Sequence, residues 1–212
     1  MEIRDVPWST LRHAYGPATD IPARWEKFLA DGDEEGEFGN TVCHQGTVYS
    51  ATPRLVPFAI EVAKSRHPGR PQALVLLGWI VGATGGPLWQ ADLMARTPFR
   101  NPFTGKMVEK TPPDPVALAA ENAWVAAMKR EIVVEIDSWL AAAREQDPGV
   151  RMAAHVLLAD LAEHADERRA ETALRVALGS TPEGEERRQL TLLLDEMDER
   201  AARSGGDAPP AP

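Results

Sequence analysis

A thiol next to an imidazole is the pairing in this sequence best suited to covalent chemistry. Cys43 and His44 open the stretch CHQGTVY, followed by Gln45, Gly46 and Tyr49. Nucleophilic use needs a lowered thiol pKa and a base facing the sulfur. Helix neighbours instead diverge by about 100°, and no glycine-rich oxyanion loop follows. The stretch therefore reads as a corner. Cys43 is a small buried residue ending a helix begun near Asp33, and His44 and Gln45 bond backbone groups. Gly46 takes the left-handed position, and Tyr49 packs over the turn. The stretch HAYG, His13 to Gly16, is a second such turn, and its His13 and Tyr15 are expected to bond Gln45 or His44.

Other chemistry is sparse. The five histidines are scattered, and no H-E-x-x-H, C-x-x-C, P-loop, G-x-G-x-x-G or G-x-S-x-G occurs. No catalytic residue, metal or cofactor is expected, and His155 reads as a structural histidine. Two segments invite a partner instead. The run Thr84 to Pro113 breaks the surrounding pattern as a long irregular insertion carrying Trp89, Phe99, Arg100 and Phe103, residue types favoured at interface hot spots. Glu131 and Glu135, four apart on one expected helix face, add a negative field.

The elements that must position these residues read as helices almost throughout. Asp20 precedes an amphipathic run closed by Gly32, and Thr52-Pro53 starts another helix, reaching about Ser65. A further helix covers Gln72 to about Val81. Asp114-Pro115 opens a helical stretch to about Arg144, as one helix or as two joined near Lys129 to Glu131. Asp147-Pro148 opens the next, Asp166 to Ala177 the next, and Thr181-Pro182 the last, to about Arg203. Strand patterns are scarce. The expected class is all-α, a short α-solenoid of stacked antiparallel helical hairpins over residues 1–203, with residues 204–212 a disordered Gly/Pro tail.

The windows HPGRPQALVLLGW and DPGVRMAAHVLLAD align Pro68 with Pro148, Gly69 with Gly149, Ala73 with Ala153 and Leu77 with Leu157. That offset is twice a repeat of about 40 residues. Asp147, Pro148, Val150, Arg151, Ala154, Leu157 and Leu161 resemble the HEAT-repeat consensus. LRHAYGPATDIP and CHQGTVYSATPRLVPF look like a group of bacterial HEAT-like proteins of largely unassigned function. The resemblance implies that Arg151 pairs with an acidic group or carbonyl of a neighbouring repeat. It also implies a scaffold used mainly to hold partners, although DNA glycosylases and bilin lyases use similar scaffolds.

A net charge of −9 over 212 residues argues against sequence-independent attachment to nucleic acid or an anionic membrane. One cysteine excludes an internal disulfide, and no apolar run is long enough for a membrane span. A cytoplasmic location is the default. The expected function is a non-enzymatic protein-binding scaffold with a basic or neutral protein partner, in the manner of an immunity or inhibitor protein. The alternatives are a HEAT-like glycosylase or lyase, and a small-molecule binder with Trp79, Trp89, Trp124 and Trp139 lining its pocket.

Overall fold

Capping residues and prolines set most of the helix starts, because the first turn of a helix leaves its N–H groups unpartnered. The structure, a computed structural model, describes residues 2–32, 36–97, 99–100, 107–108, 110–162 and 168–206. Among them are ten α-helices: α1 Ile21–Asp31, α2 Glu37–Val42, α3 Thr52–Lys64, α4 Arg70–Val81, α5 Pro87–Arg96, α6 Pro115–Val133, α7 Ile136–Ala142, α8 Pro148–Leu161, α9 Arg168–Ser180 and α10 Glu185–Gly206. The chain is mostly helical, as its punctuation predicts.

Three antiparallel ribbons of two residues per strand interrupt the helices. They are β1 (Arg12–His13) with β2 (Gly16–Pro17), β3 (Cys43–His44) with β4 (Thr47–Val48), and β5 (Phe99–Arg100) with β6 (Met107–Val108). The insertion expected to be irregular therefore contains α5 and the third ribbon. The stretch expected over 115–144 is two helices, broken at 134–135 and not near Lys129. α10 begins at Glu185, three residues after Pro182, and continues to Gly206, so Ser204 to Gly206 belong to a helix and not to a tail. Residues 207–212 lie outside the described residues, as do Asp33, Asp166 and Phe103.

Contacts sort the chain into two units, Met1–Phe58 with Ala83–Glu131, and Ala59–Gly82 with Ile132–Pro212. In the first, Trp25, Phe28 and Phe38 form a buried aromatic cluster with ring centroids 4.9–5.9 Å apart. α5 is held at its N-terminus by a distant carboxylate. The buried Glu121 of α6 accepts the Trp89 N–H at 2.8 Å, as an acidic group at a helix start should.

In the second unit α4 is apolar nearly all round, with Leu74, Leu76, Leu77, Ile80 and Val81 fully buried, the pattern of a central helix. It packs on α8. A Cβ on Gly149 would lie 3.8 Å from Pro71 Cγ, one on Gly78 would lie 3.4 Å from Leu157 Cα, and one on Gly82 would lie 3.3 Å from the Asp160 carboxylate. The contacts advance together, so the two helices run in the same direction. They are the two windows that align in sequence.

Gly78 is where that approach is tightest, since its added Cβ would also meet Asp160 Oδ2 at 2.9 Å. Alanine gains about 1 kcal/mol in helix propensity, while forcing a methyl group against the Asp160 carboxylate in a packed contact costs about 1–3 kcal/mol. Gly78→Ala is expected to lose about 1 kcal/mol net by urea unfolding. A stabilised variant would show that the α4–α8 contact has slack.

Candidate functional site: an arginine-rimmed cavity

Within the second unit a cavity of about 780 Å³ lies among the end of α7, α8, α9 and the start of α10. Its formation starts at Asp147, whose Oδ1 accepts the N–H groups of Gly149 and Val150 at 2.8 and 3.0 Å, with Pro148 as the first helical residue. This cap fixes the start of α8. Arg151 and His155, four residues apart, then fall on one face one turn from each other, and both line the cavity.

Arg151 is fully engaged. Its Nε and Nη2 donate to the two carboxylate oxygens of Glu186 at 2.5 and 2.8 Å, and Nη1 donates to the carbonyls of Glu145 at 2.8 Å and Gln146 at 3.1 Å. Arg151's hydrogen bond holds the Glu186 carboxyl below the ordinary carboxylate value; burial opposes this, and the charges of Arg151 and His155 reinforce it.

The remaining arginines differ. Arg169 pairs with Asp137. Arg144 and Arg168 are exposed on the rim and have no ion-pair partner among the described residues. Among the described residues the lining thus counts four arginines, Arg144, Arg151, Arg168 and Arg169, against one carboxylate, Glu186, within a chain of net charge −9. Leu140, Ala173, Val176 and Pro182 supply an apolar wall.

His155 completes the site. It is 2% exposed, and neither ring nitrogen has a hydrogen-bond partner among the described residues. Burial lowers its pKa, Glu186 raises it, Arg151 lowers it again, and the Ala143 backbone, close to the ring but outside hydrogen-bond geometry, raises it. A neutral imidazole carries one donor and one acceptor, and leaving both unmet inside a protein is costly. The expectation of an ordinary structural histidine is corrected to this extent: the ring is buried, but it is not satisfied.

The residues singled out in the sequence lie elsewhere. At the corner, only the left-handed glycine and the Tyr15–His44 bond follow the sequence reading. Gly46 has φ +75°, and a Cβ there would press on Thr84 Oγ1 at 2.9 Å. Gln45 precedes it at φ +51°. The turn docks on the segment after α4, with Thr84 N donating to Gly46 O and Val48 N to Gly85 O. Tyr15 bonds His44 Nδ1 through its hydroxyl at 3.3 Å. His13 differs from expectation: it is buried and bonded to Asp20 at 3.0 Å. That bond and one from Arg24 occupy the Asp20 carboxylate, so Asp20 does not cap α1. Cys43 is half-buried and opens β3 after α2, which begins at Glu37. Burial raises the Tyr49 phenol, with Cys43 and Tyr15 adding to it.

The partner candidates are not brought together. Trp89 is half-buried on α5, Arg100 is exposed in β5 beside Phe99, and Phe103 lies outside the described residues. Glu131 is exposed in the last turn of α6, whereas Glu135 stands past that helix as the N-cap of α7, bound by Lys64 at 2.6 Å. They do not share a helix face. Trp139 is fully buried, and none of Trp79, Trp89, Trp124 and Trp139 lines the cavity.

Sequence reasoning missed the cavity, yet one signal was present. After Lys129 every Lys/Arg position is arginine, the residue whose planar fork suits phosphate and carboxylate. No cluster of three or more His, Cys, Asp or Glu side chains able to hold a metal occurs among the described residues, and no helix there is long and apolar enough to cross a membrane. Compared with known proteins, the chain matches no family model, no curated protein and no solved structure.

Proposed function

We propose that this chain is a non-enzymatic binding protein whose working site is the arginine-rimmed cavity of its second unit, and that the occupant is an anion. One observation carries the reading: Arg144 and Arg168 have no ion-pair partner among the described residues and line a cavity whose size falls in the ordinary ligand range. Unpaired guanidiniums on a concave rim concentrate positive potential locally, even on an acidic chain. The scaffold we propose is a short stack of helical hairpins of HEAT type. The multiple bonds of Arg151 support it, whereas the direct packing of α4 on α8 fits adjacent repeats and not the two-repeat offset of the aligned windows.

A second reading is an acidic surface that meets a basic protein partner, as in an immunity or inhibitor protein. It draws on the net charge of −9 and the exposure of Glu131, while the engagement of Glu135 by Lys64 weakens it.

The test is calorimetric titration with inorganic pyrophosphate at low and moderate salt. Binding is expected to weaken with salt and to fall at least tenfold in Arg144→Gln/Arg168→Gln. Equal binding by that double variant, or no binding of any small anion, would overturn the reading. Salt-sensitive binding of duplex DNA in place of small anions would favour the nucleic-acid alternative.

A further inference from the structure

We infer that the cavity takes an organic phosphate monoester, its dianionic head between Arg144 and Arg168 and its apolar body against the Leu140–Val176 wall, reaching His155. The inference rests on the binding reading above and specifies the ligand. Three independent features of the cavity converge on this class.

The first is charge. Of the four lining arginines, Arg151 is spent on Glu186 and two carbonyls, and Arg169 on Asp137. Two guanidiniums remain, which matches a dianion better than a monoanion. The second is the wall. Val176 is 66% exposed although it is a large apolar side chain on a concave surface, and Leu140 and Pro182 flank the same space. A bare inorganic ion would leave that surface wet, whereas an aromatic or alkyl body would cover it. The third is the floor. His155 presents an unmet donor and an unmet acceptor, and a ligand oxygen or hydroxyl at that depth would satisfy one of them. The site therefore asks for a head, a body and a polar group in one molecule.

The experiment compares 1-naphthyl phosphate, inorganic phosphate, 1-naphthol and 1-naphthoate by calorimetry on the full chain. Naphthyl phosphate is expected to bind at least tenfold more tightly than each of the other three. Arg144→Gln/Arg168→Gln should remove the advantage over naphthol, and Val176→Ser the advantage over inorganic phosphate. All three positions are exposed, so these variants should fold, and circular dichroism checks this. Inorganic phosphate binding as tightly as the ester would overturn the role of the body while leaving the anion-binding reading intact. Naphthoate binding as tightly would overturn the dianion assignment. Failure of every probe would overturn both readings. Asp166 and Glu167 precede α9 in the chain. If binding appears only in Asp166→Asn/Glu167→Gln, the arginines are answered internally and the inference fails.

Discussion

Trp139→Ala is expected to destabilise the protein by about 3–5 kcal/mol, the usual range for truncating a buried aromatic side chain. Trp139 is 0% exposed and sits in the middle of α7. That helix spans only Ile136–Ala142, too short to persist without tertiary support. Its buried positions Ile136, Trp139 and Ala142 must hold it in place. The indole does a second job. Its N–H donates to the Ile132 carbonyl at 2.9 Å, in the last turn of α6, where the only other bond to that carbonyl among the described residues is a longer one from the Glu135 N–H at 3.3 Å. One side chain thus fills the core and closes the break between two helices. Trp139→Phe separates the two roles, because it keeps most of the apolar volume and removes the donor. It should cost about 1 kcal/mol, the net worth of one buried hydrogen bond, since the Glu135 N–H still reaches the carbonyl. For a chain of this size each kcal/mol lowers Tm by roughly 2–4 °C, so calorimetry should rank wild type above Trp139→Phe and Trp139→Phe well above Trp139→Ala. If both variants fall within about 0.5 kcal/mol of wild type, α7 is held by other contacts.

The break that Trp139 closes shows why sequence reading places helices better than it ends them. Asp147-Pro148 announces α8 because the cap is local: an aspartate oxygen reaches N–H groups two and three residues on. Asp114-Pro115 works the same way, its Oδ2 accepting the Ala117 N–H at 3.0 Å. Thr52-Pro53 also marks a start, but Thr52 is the first residue of α3 and its hydroxyl bonds Val42 O and the Tyr49 N–H instead of capping the helix. At 134–135 there is neither glycine nor proline. The run Ile132-Val133-Val134 only weakens the helix through its β-branched side chains, and tertiary packing decides the rest. α5 was hidden for a related reason. Its N-terminal acceptor, Glu121, comes from another helix, so the Gly-Gly-Pro stretch before it looks locally like a stop. Ribbons of two residues per strand are shorter than any period that could reveal them. The helices of the aligned windows around Pro68 and Pro148, α4 and α8, pack against each other, which an offset of two repeats does not predict. The cavity was illegible in detail because four elements each give it a few residues, and an arginine on a helix surface looks the same in sequence whether it faces solvent or a concavity. Only the replacement of lysine by arginine beyond Lys129 marks the region.

His155→Leu is expected to raise stability by about 2 kcal/mol, an unusual direction for a substitution inside a helix core. Leucine keeps an apolar body of comparable size in α8 and removes two polar nitrogens that have no partner among the described residues, each of which costs free energy when buried unpaired. The same change should alter the response to acid. Burial holds the folded-state pKa of His155 below its ordinary 6.5, so the unfolded chain takes up the proton first. The stability contributed by the neutral ring is complete above pH 6.5 and is lost as pH falls below that value towards the folded pKa. Glu186 has the same sign at lower pH, because its carboxyl is held below 4.5 by Arg151, and its contribution fades as pH falls beneath 4.5. Wild type should therefore weaken in two stages on acidification, whereas His155→Leu should keep only the second. Urea midpoints measured from pH 8 to pH 4 read this directly. A variant less stable than wild type at pH 8, or one that still weakens between pH 6.5 and 5, would show that the ring is satisfied in solution. A buried group that costs stability where it stands is accounted for most simply by what it does when the cavity is filled, so the expected gain in stability should come with a loss of affinity for the phosphate ester.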